Sequence, residues 1–309
     1  MLAPQCNSAI RLLATFLNEC PDAFGPDDVR SLSQACRIPE AEALALLVAA
    51  GCGLEIDECL EHRELYYRYI RPAIRELHAE TYLADPWWQT IRMPEAPVKI
   101  GNWELSTACY KPYEVFVAND MTPLSQGGHA EDSSQTCASK TDLVDCIPQL
   151  GYFSDTFRYP IVKENGREWM TVTPNEVETM RHAIDATEGH SLTFGLGLGY
   201  FAVRAALRPQ VSHLTVIENN ADVIRLFRQY TLPQVPQAAA DKIEIIQDDA
   251  FHFASTRLPM MPEARHAFVD LWHDVSDGLP LYLKMQQIAV QTPWIAWQYW
   301  IEKTMRCYL

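Results

Sequence analysis

Long hydrophobic runs are missing from this 309-residue sequence: none approaches the roughly 20 apolar residues that span a bilayer, so no membrane association is expected. Residues Met1 to Cys6 hold no basic stretch followed by an apolar one, and no secretory signal is expected. Paired cysteine motifs are missing too. The nine cysteines are scattered, odd in number and never spaced C-x-x-C. That argues against a zinc framework, any other metal site and a secreted disulfide scaffold, and fits a reducing, cytoplasmic setting. Positive charge is scarce, with 25 Lys and Arg against 40 Asp and Glu for a formal balance of −15. Phosphate contacts need Lys and Arg, so a nucleic-acid partner is not expected.

What is present is enough for a sizeable core. Hydrophobic residues make up 48% of the chain and charged ones 21%, and the length suits about two domains. The charge is uneven: the first 190 residues carry a balance of −14 and the rest −1. The acidic part either attracts a cationic substrate or is a solvated surface.

Residues 8–84 read as helical, with apolar positions such as Ile10, Leu13 and Leu17 at helical spacing, and a last helix from Ala73 to Leu83. Acids open several segments and Gly51-Cys52-Gly53 closes one, as helix boundaries require. Leu32 to Pro39 bears a faint likeness to a helix-turn-helix, but its reading helix would begin with Glu40 and Glu42, which repel phosphate. A helical cap or oligomerisation element fits better. Strand patterns follow in residues 97–119, then a polar stretch, 120–145, read as a mobile loop or lid. Tyr159–Val162 and Glu168–Val172 flank Asn165-Gly166, a hairpin turn signal, and Thr173-Pro174-Asn175-Glu176 opens a helix. The expected division is a helical region (1–85), a small β region (86–165) and an α/β region (166–309).

Chemistry concentrates in the last region. Ser191 to Phe194 is a short apolar strand running into Gly195-x-Gly197-x-Gly199 and then an apolar helix. Glycines at such spacing allow a tight turn, close approach of a ligand to the main chain and close helix packing, and free N–H groups at a helix start favour an anionic group. A second strand, Leu214–Ile217, ends in Glu218, 21 positions beyond Gly197. A carboxylate there suits the two hydroxyls of a ribose. A third strand ends in Asp248-Asp249-Ala250, and a fourth ends in Asp270, followed by His273 and Asp274. Four successive strands with polar or glycine ends place a nucleoside site at the carboxyl edge of a parallel sheet.

This pattern, over roughly residues 160–309, resembles the class I S-adenosylmethionine-dependent methyltransferase superfamily, and within it the spermidine synthase-like branch. The resemblance implies a Rossmann-like, mostly parallel sheet with S-adenosylmethionine as cofactor. It implies that Gly195, Gly197 and Gly199 face the methionine part, Glu218 the ribose, and Asp249 with Ala250, or Asp248, the adenine. Asp270 would lie beside the reacting group. From the residues alone, Asp270 either acts on the acceptor or props the glycine loop. His273 is either a general base or a neutral loop residue. With Asp274, these form the candidate catalytic set.

The sequence departs from spermidine synthases at the polyamine side. Met170 stands where they carry Gln, Asn175-Glu176 replaces Asp-Glu, Thr179 replaces Tyr, and their D-x-x-D becomes Asp270-x-x-x-Asp274. After one further strand candidate, Trp294–Ile301, the family's final hairpin is missing. Either the sheet is short, or residues 97–119 or the second subunit of a homodimer cover its edge. The leading expectation is methyl transfer to a small molecule. Aminopropyl transfer from decarboxylated S-adenosylmethionine, a nicotinamide-dependent oxidoreductase and a non-catalytic nucleoside-binding protein are the alternatives.

Overall fold

The computed structural model describes residues 4–123 and 145–309. The described residues fall into two compact units that alternate along the chain. The first draws on Met1–His78, Tyr110–Phe157 and Arg306–Leu309, the second on Ala79–Cys109 and Arg158–Met305.

In the first unit, helices Pro4–Glu19, Pro26–Cys36 and Glu40–Gly51 pack around Leu13, Phe16, Leu44 and Val48, all buried. Gly53, at φ +77°, follows the third helix, a conformation that glycine adopts without strain. Helix Leu60–Leu65 continues through a π turn, Tyr66–Ile70, and buries Tyr66 and Tyr69. The expected helix from Ala73 to Leu83 is broken. Ile74–Glu76 is a strand pairing in parallel with Cys146–Tyr152, and only Ala79–Leu83 is helical. Strand Cys146–Tyr152 also pairs antiparallel with Phe116–Pro123. Of the stretch 120–145 expected as a loop, residues 120–123 instead complete strand Phe116–Pro123, and 124–144 lie outside the described residues.

The second unit holds a four-stranded sheet ordered Val98–Ile100, Trp103–Tyr110, Phe157–Glu164, Arg167–Thr171, its two outer pairs antiparallel. Asn165 and Gly166 make the hairpin turn with φ of 51° and 81°, which short polar and glycine side chains tolerate. Helix α1 (Pro174–Ala186) follows, opened by a capping box between Thr173 and Glu176.

Next comes the expected Rossmann-like sheet: five parallel strands, β1 (Gly189–Phe194), β2 (Val211–Glu218), β3 (Ile243–Gln247), β4 (Ala264–Val269) and β5 (Ala296–Tyr299), ordered β3-β2-β1-β4-β5. Ser191 to Phe194 are all buried, as the central strand of a sheet covered on both faces must be. Register aligns the strand ends: Phe194 lies opposite Ile217 and Val269, Glu218 opposite Gln247, and Val269 opposite Tyr299. The chain reverses direction across the sheet at β1, so β1 and β4 flank the switch point where ligands bind in open α/β sheets. Among the described residues the sheet ends at β5. Residues 97–119 do not extend it, because their strands pair with Phe157–Glu164 and Cys146–Tyr152 instead. No helix among the described residues is long and apolar enough to cross a membrane.

Candidate functional site

The carboxyl ends of β1 to β4 and the hairpin strand Arg167–Thr171 enclose a cavity of about 520 Å³. That volume suits a small ligand.

The glycine loop joins β1 to the seven-residue helix α2 (Tyr200–Ala206). Gly195 turns the chain at φ +100° and donates its N–H to Ile217 O at 2.9 Å. A Cβ on it would lie 2.0 Å from the carbonyl oxygen of Asp270, so only glycine fits between β1 and β4. Gly199 caps α2 at φ +80°, and a Cβ there would strike the ring of Phe227 at 2.2 Å. Gly197 faces Met170, whose sulfur would be 3.2 Å from an added Cβ. Tyr200 then anchors α2 by donating its hydroxyl to Asp85 at 3.1 Å.

Glu218 ends β2 on the cavity wall. Its Oε2 accepts the N–H of Leu196 at 3.1 Å and its Oε1 that of Asn220 at 2.8 Å. Burial pushes its pKa up, against the pull of these backbone donors. At the end of β3, Asp248 Oδ1 accepts Asp249 N at 2.8 Å and meets His252 Nδ1 at 3.0 Å. Asp249 is the N-cap of helix α3 (Ala250–Thr256), accepting His252 N at 2.8 Å, and Ala250 begins that helix. All three line the cavity.

Asp270 follows β4, its N–H donated to Phe194 O at 2.9 Å. Its carboxyl lines the cavity, and none of the described residues hydrogen bonds it. Burial, and then the charges of Glu176 and Glu218, push its pKa up to about 8. The backbone of Asp270 therefore holds the end of β1, and the carboxylate of Glu218 holds Leu196 in the loop.

His273 also lines the cavity. It has a partner, Asp277, which accepts the His273 backbone N–H at 3.2 Å and meets its Nδ1 at 3.0 Å. Asp274 is not among the lining residues. It is exposed and caps helix α4 (Val275–Ala289), accepting Ser276 N at 2.6 Å in a capping box with Asp277.

Several wall residues were absent from the sequence-derived set. Glu176 accepts Thr173 N at 2.8 Å and Thr171 Oγ1 at 3.1 Å, and burial pushes its pKa up. The capping-box spacing marked its position but not its place in the cavity. Trp103, Trp169, Met170 and Met180 come from the hairpin sheet and α1, and Trp272 and Trp300 from the far side of the sheet's switch point. Among the described residues, the lining includes six acids (Glu168, Glu176, Glu218, Asp248, Asp249, Asp270) and no Lys or Arg. No group of three or more His, Cys, Asp or Glu among the described residues is placed to hold a metal ion.

No protein-family model matches the sequence, and no curated protein does. Among the solved structures that match is a probable spermidine synthase from Corynebacterium glutamicum ATCC 13032. It is 22% identical to this chain, with a TM-score of 0.28, and the match covers 37% of this chain and 44% of that one, less than half of each.

Proposed function

We propose that the protein is a transferase using an adenosyl sulfonium, S-adenosylmethionine, to alkylate the amine of a small molecule. The observation that carries this reading is a glycine loop and Glu218 set in a cavity that, among the described residues, has six acids and no Lys or Arg. Such walls favour a cationic donor and acceptor. They disfavour a dinucleotide, whose pyrophosphate would meet carboxylates, while the Leu196 N–H that could face it is already donated to Glu218.

The chain fits the donor where the structure is most constrained. Gly195 and Gly199 leave main chain at the cavity wall, where a Cβ would collide with protein atoms. Gly195, Gly197 and Gly199 would hold the methionine part, Glu218 the ribose, and Asp249 with Ala250, or Asp248, the adenine. When bound, the donor supplies a carbon on a positively charged sulfur, which leaves as a neutral thioether.

The protein's share is alignment, exclusion of water and handling of one proton. In such a transfer the acceptor nitrogen would form the new C–N bond with its lone pair, and the S–C electron pair would leave with sulfur. Asp270, a carboxyl with no hydrogen-bond partner among the described residues, would take the proton that the nitrogen sheds. Its pKa of about 8 suits that exchange near neutral pH. His273, oriented by Asp277, would relay the proton outward.

Aminopropyl transfer is the second reading. It is favoured by the absence, among the described lining residues, of a Lys or Arg for the donor's carboxylate. It is opposed by Met170 and by Thr179, whose hydroxyl donates to Asn175 O at 2.7 Å and accepts Trp300 Nε1 at 2.8 Å, leaving it no reach toward a substrate. Calorimetric affinities for S-adenosylmethionine and its decarboxylated form decide between them. Methyl transfer predicts comparable or tighter binding of the carboxylated donor. A preference of about 100-fold or more for the decarboxylated donor would favour aminopropyl transfer.

A further inference from the structure

The cavity extends beyond the glycine loop and Glu218 into a part with a different chemistry. Trp169, 42% exposed, lines it from the hairpin strand. Trp103, only 3% exposed, supports Trp169 edge-on at 5.6 Å between ring centroids. His273 also meets Trp169 edge-on, at 4.5 Å, and is itself fixed by Asp277. Trp300 lines the same cavity, its indole locked by its hydrogen bond to Thr179. These rings are held before any ligand arrives, so binding would order few side chains.

Charge in this part is limited to one free group. Glu176 and Glu218 already accept hydrogen bonds from their own neighbourhoods. Glu168 is exposed, where solvent screens it. Of the lining acids here that are not exposed, Asp270 keeps a carboxyl without a hydrogen-bond partner among the described residues. One carboxyl that a bound ammonium draws into its ionised form, beside a wall of indoles, matches a molecule with one ammonium and one flat apolar ring. A flexible aliphatic diamine would bring a second ammonium with no buried acid left to meet it, and would forgo stacking.

We propose that this part of the cavity is a subsite for an arylalkylamine, its ammonium on Asp270 and its ring on Trp169. As the identity of the acceptor, this rests on the transferase reading; as a binding site, it stands on the cavity alone.

The test is a calorimetric titration with tryptamine and with 1,5-diaminopentane, each without donor and with S-adenosylhomocysteine present. Tryptamine is expected to bind at least tenfold tighter than the diamine in both conditions. Trp169→Ala should weaken tryptamine at least tenfold and leave the diamine unchanged, and Trp169→Phe should retain most of the affinity. Trp169 is partly exposed on a hairpin, and an unchanged unfolding temperature confirms that the variants fold. Asp270→Asn should weaken tryptamine but not tryptophol, its neutral alcohol counterpart. Equal or tighter binding of the diamine, or no effect of Trp169→Ala, would overturn the subsite. If S-adenosylhomocysteine fails to bind while tryptamine binds as described, the transferase reading falls and the subsite remains. The reverse pattern removes the subsite and leaves the transferase reading in place.

Discussion

The carboxylate of Glu218 is tied to Leu196: its Oε2 accepts the Leu196 backbone N–H at 3.1 Å, so the end of β2 holds the glycine loop that leaves β1. One side chain therefore serves the loop's shape and, in the proposed function, the donor's ribose. Glu218→Ala would leave the N–H groups of Leu196 and Asn220 without this acceptor. A hydrogen bond to a charged group contributes about 1.5–3 kcal/mol. The variant should lose at least tenfold in S-adenosylhomocysteine affinity by calorimetry and unfold at a lower temperature. Unchanged affinity would place the ribose elsewhere.

Gly195 offers a contrast with Gly53. Both have positive φ, but only Gly195 has a backbone oxygen, that of Asp270, where a Cβ would sit; Gly53 has nothing within 4 Å. Gly53→Ala should cost about 1–2 kcal/mol, the ordinary penalty for a left-handed residue. Gly195→Ala should cost distinctly more and also weaken donor binding. Denaturant midpoints for the two variants check the difference, and equal losses would mean that the β1–β4 contact yields easily.

Asp270 makes stability depend on pH. Its pKa is raised from 3.8 when unfolded to about 8 when folded, so the native state holds an extra proton between those values. Stability is then greatest at the low end of that window and falls as pH rises toward 8, by at most about 1.4 kcal/mol per pH unit. Burial of Glu218 and Glu176 adds to the same trend. Asp270→Asn should flatten the decline between pH 5 and pH 8. It should keep S-adenosylhomocysteine affinity, because its carboxyl makes no hydrogen bond to the glycine loop, and abolish product formation. Thermal unfolding across pH, with calorimetry at one pH, reads both. Lost cofactor affinity would move Asp270 from the acceptor to the loop.

Asp274 is separated from the other candidates by its position. It caps α4 and does not line the cavity. Asp274→Ala should cost about 1 kcal/mol of stability, the usual loss for an N-cap. Donor affinity should not change. A large loss of affinity without a loss of stability would return it to the site.

Sequence reading reached what is encoded locally. The Asn165-Gly166 turn, the capping box at Thr173 and the positive-φ glycines each depend on a few adjacent residues, and Glu218 was legible from its spacing to the loop. The cap role of Asp274 and the pairing of His273 with Asp277 were equally local, three and four residues from Asp277, but competed with a catalytic interpretation. Other features have no local signal. Ile74–Glu76 is a strand because Leu150 to Tyr152 offer it a partner some 75 residues away, overriding its helical surroundings. Trp103 and Trp169 meet only because their strands join one sheet. The freedom of the Asp270 carboxyl is likewise a property of the assembled cavity.

The central claim is a cavity that takes an adenosyl sulfonium donor rather than a dinucleotide. Its most direct test is thermal unfolding of the full chain with S-adenosylhomocysteine, and separately with NAD. A ligand that binds only the folded state adds about 2.7 kcal/mol of stability at a hundred times its Kd. S-adenosylhomocysteine should raise the unfolding temperature in a concentration-dependent way, and NAD should leave it unchanged. A rise with NAD and none with S-adenosylhomocysteine would contradict the account.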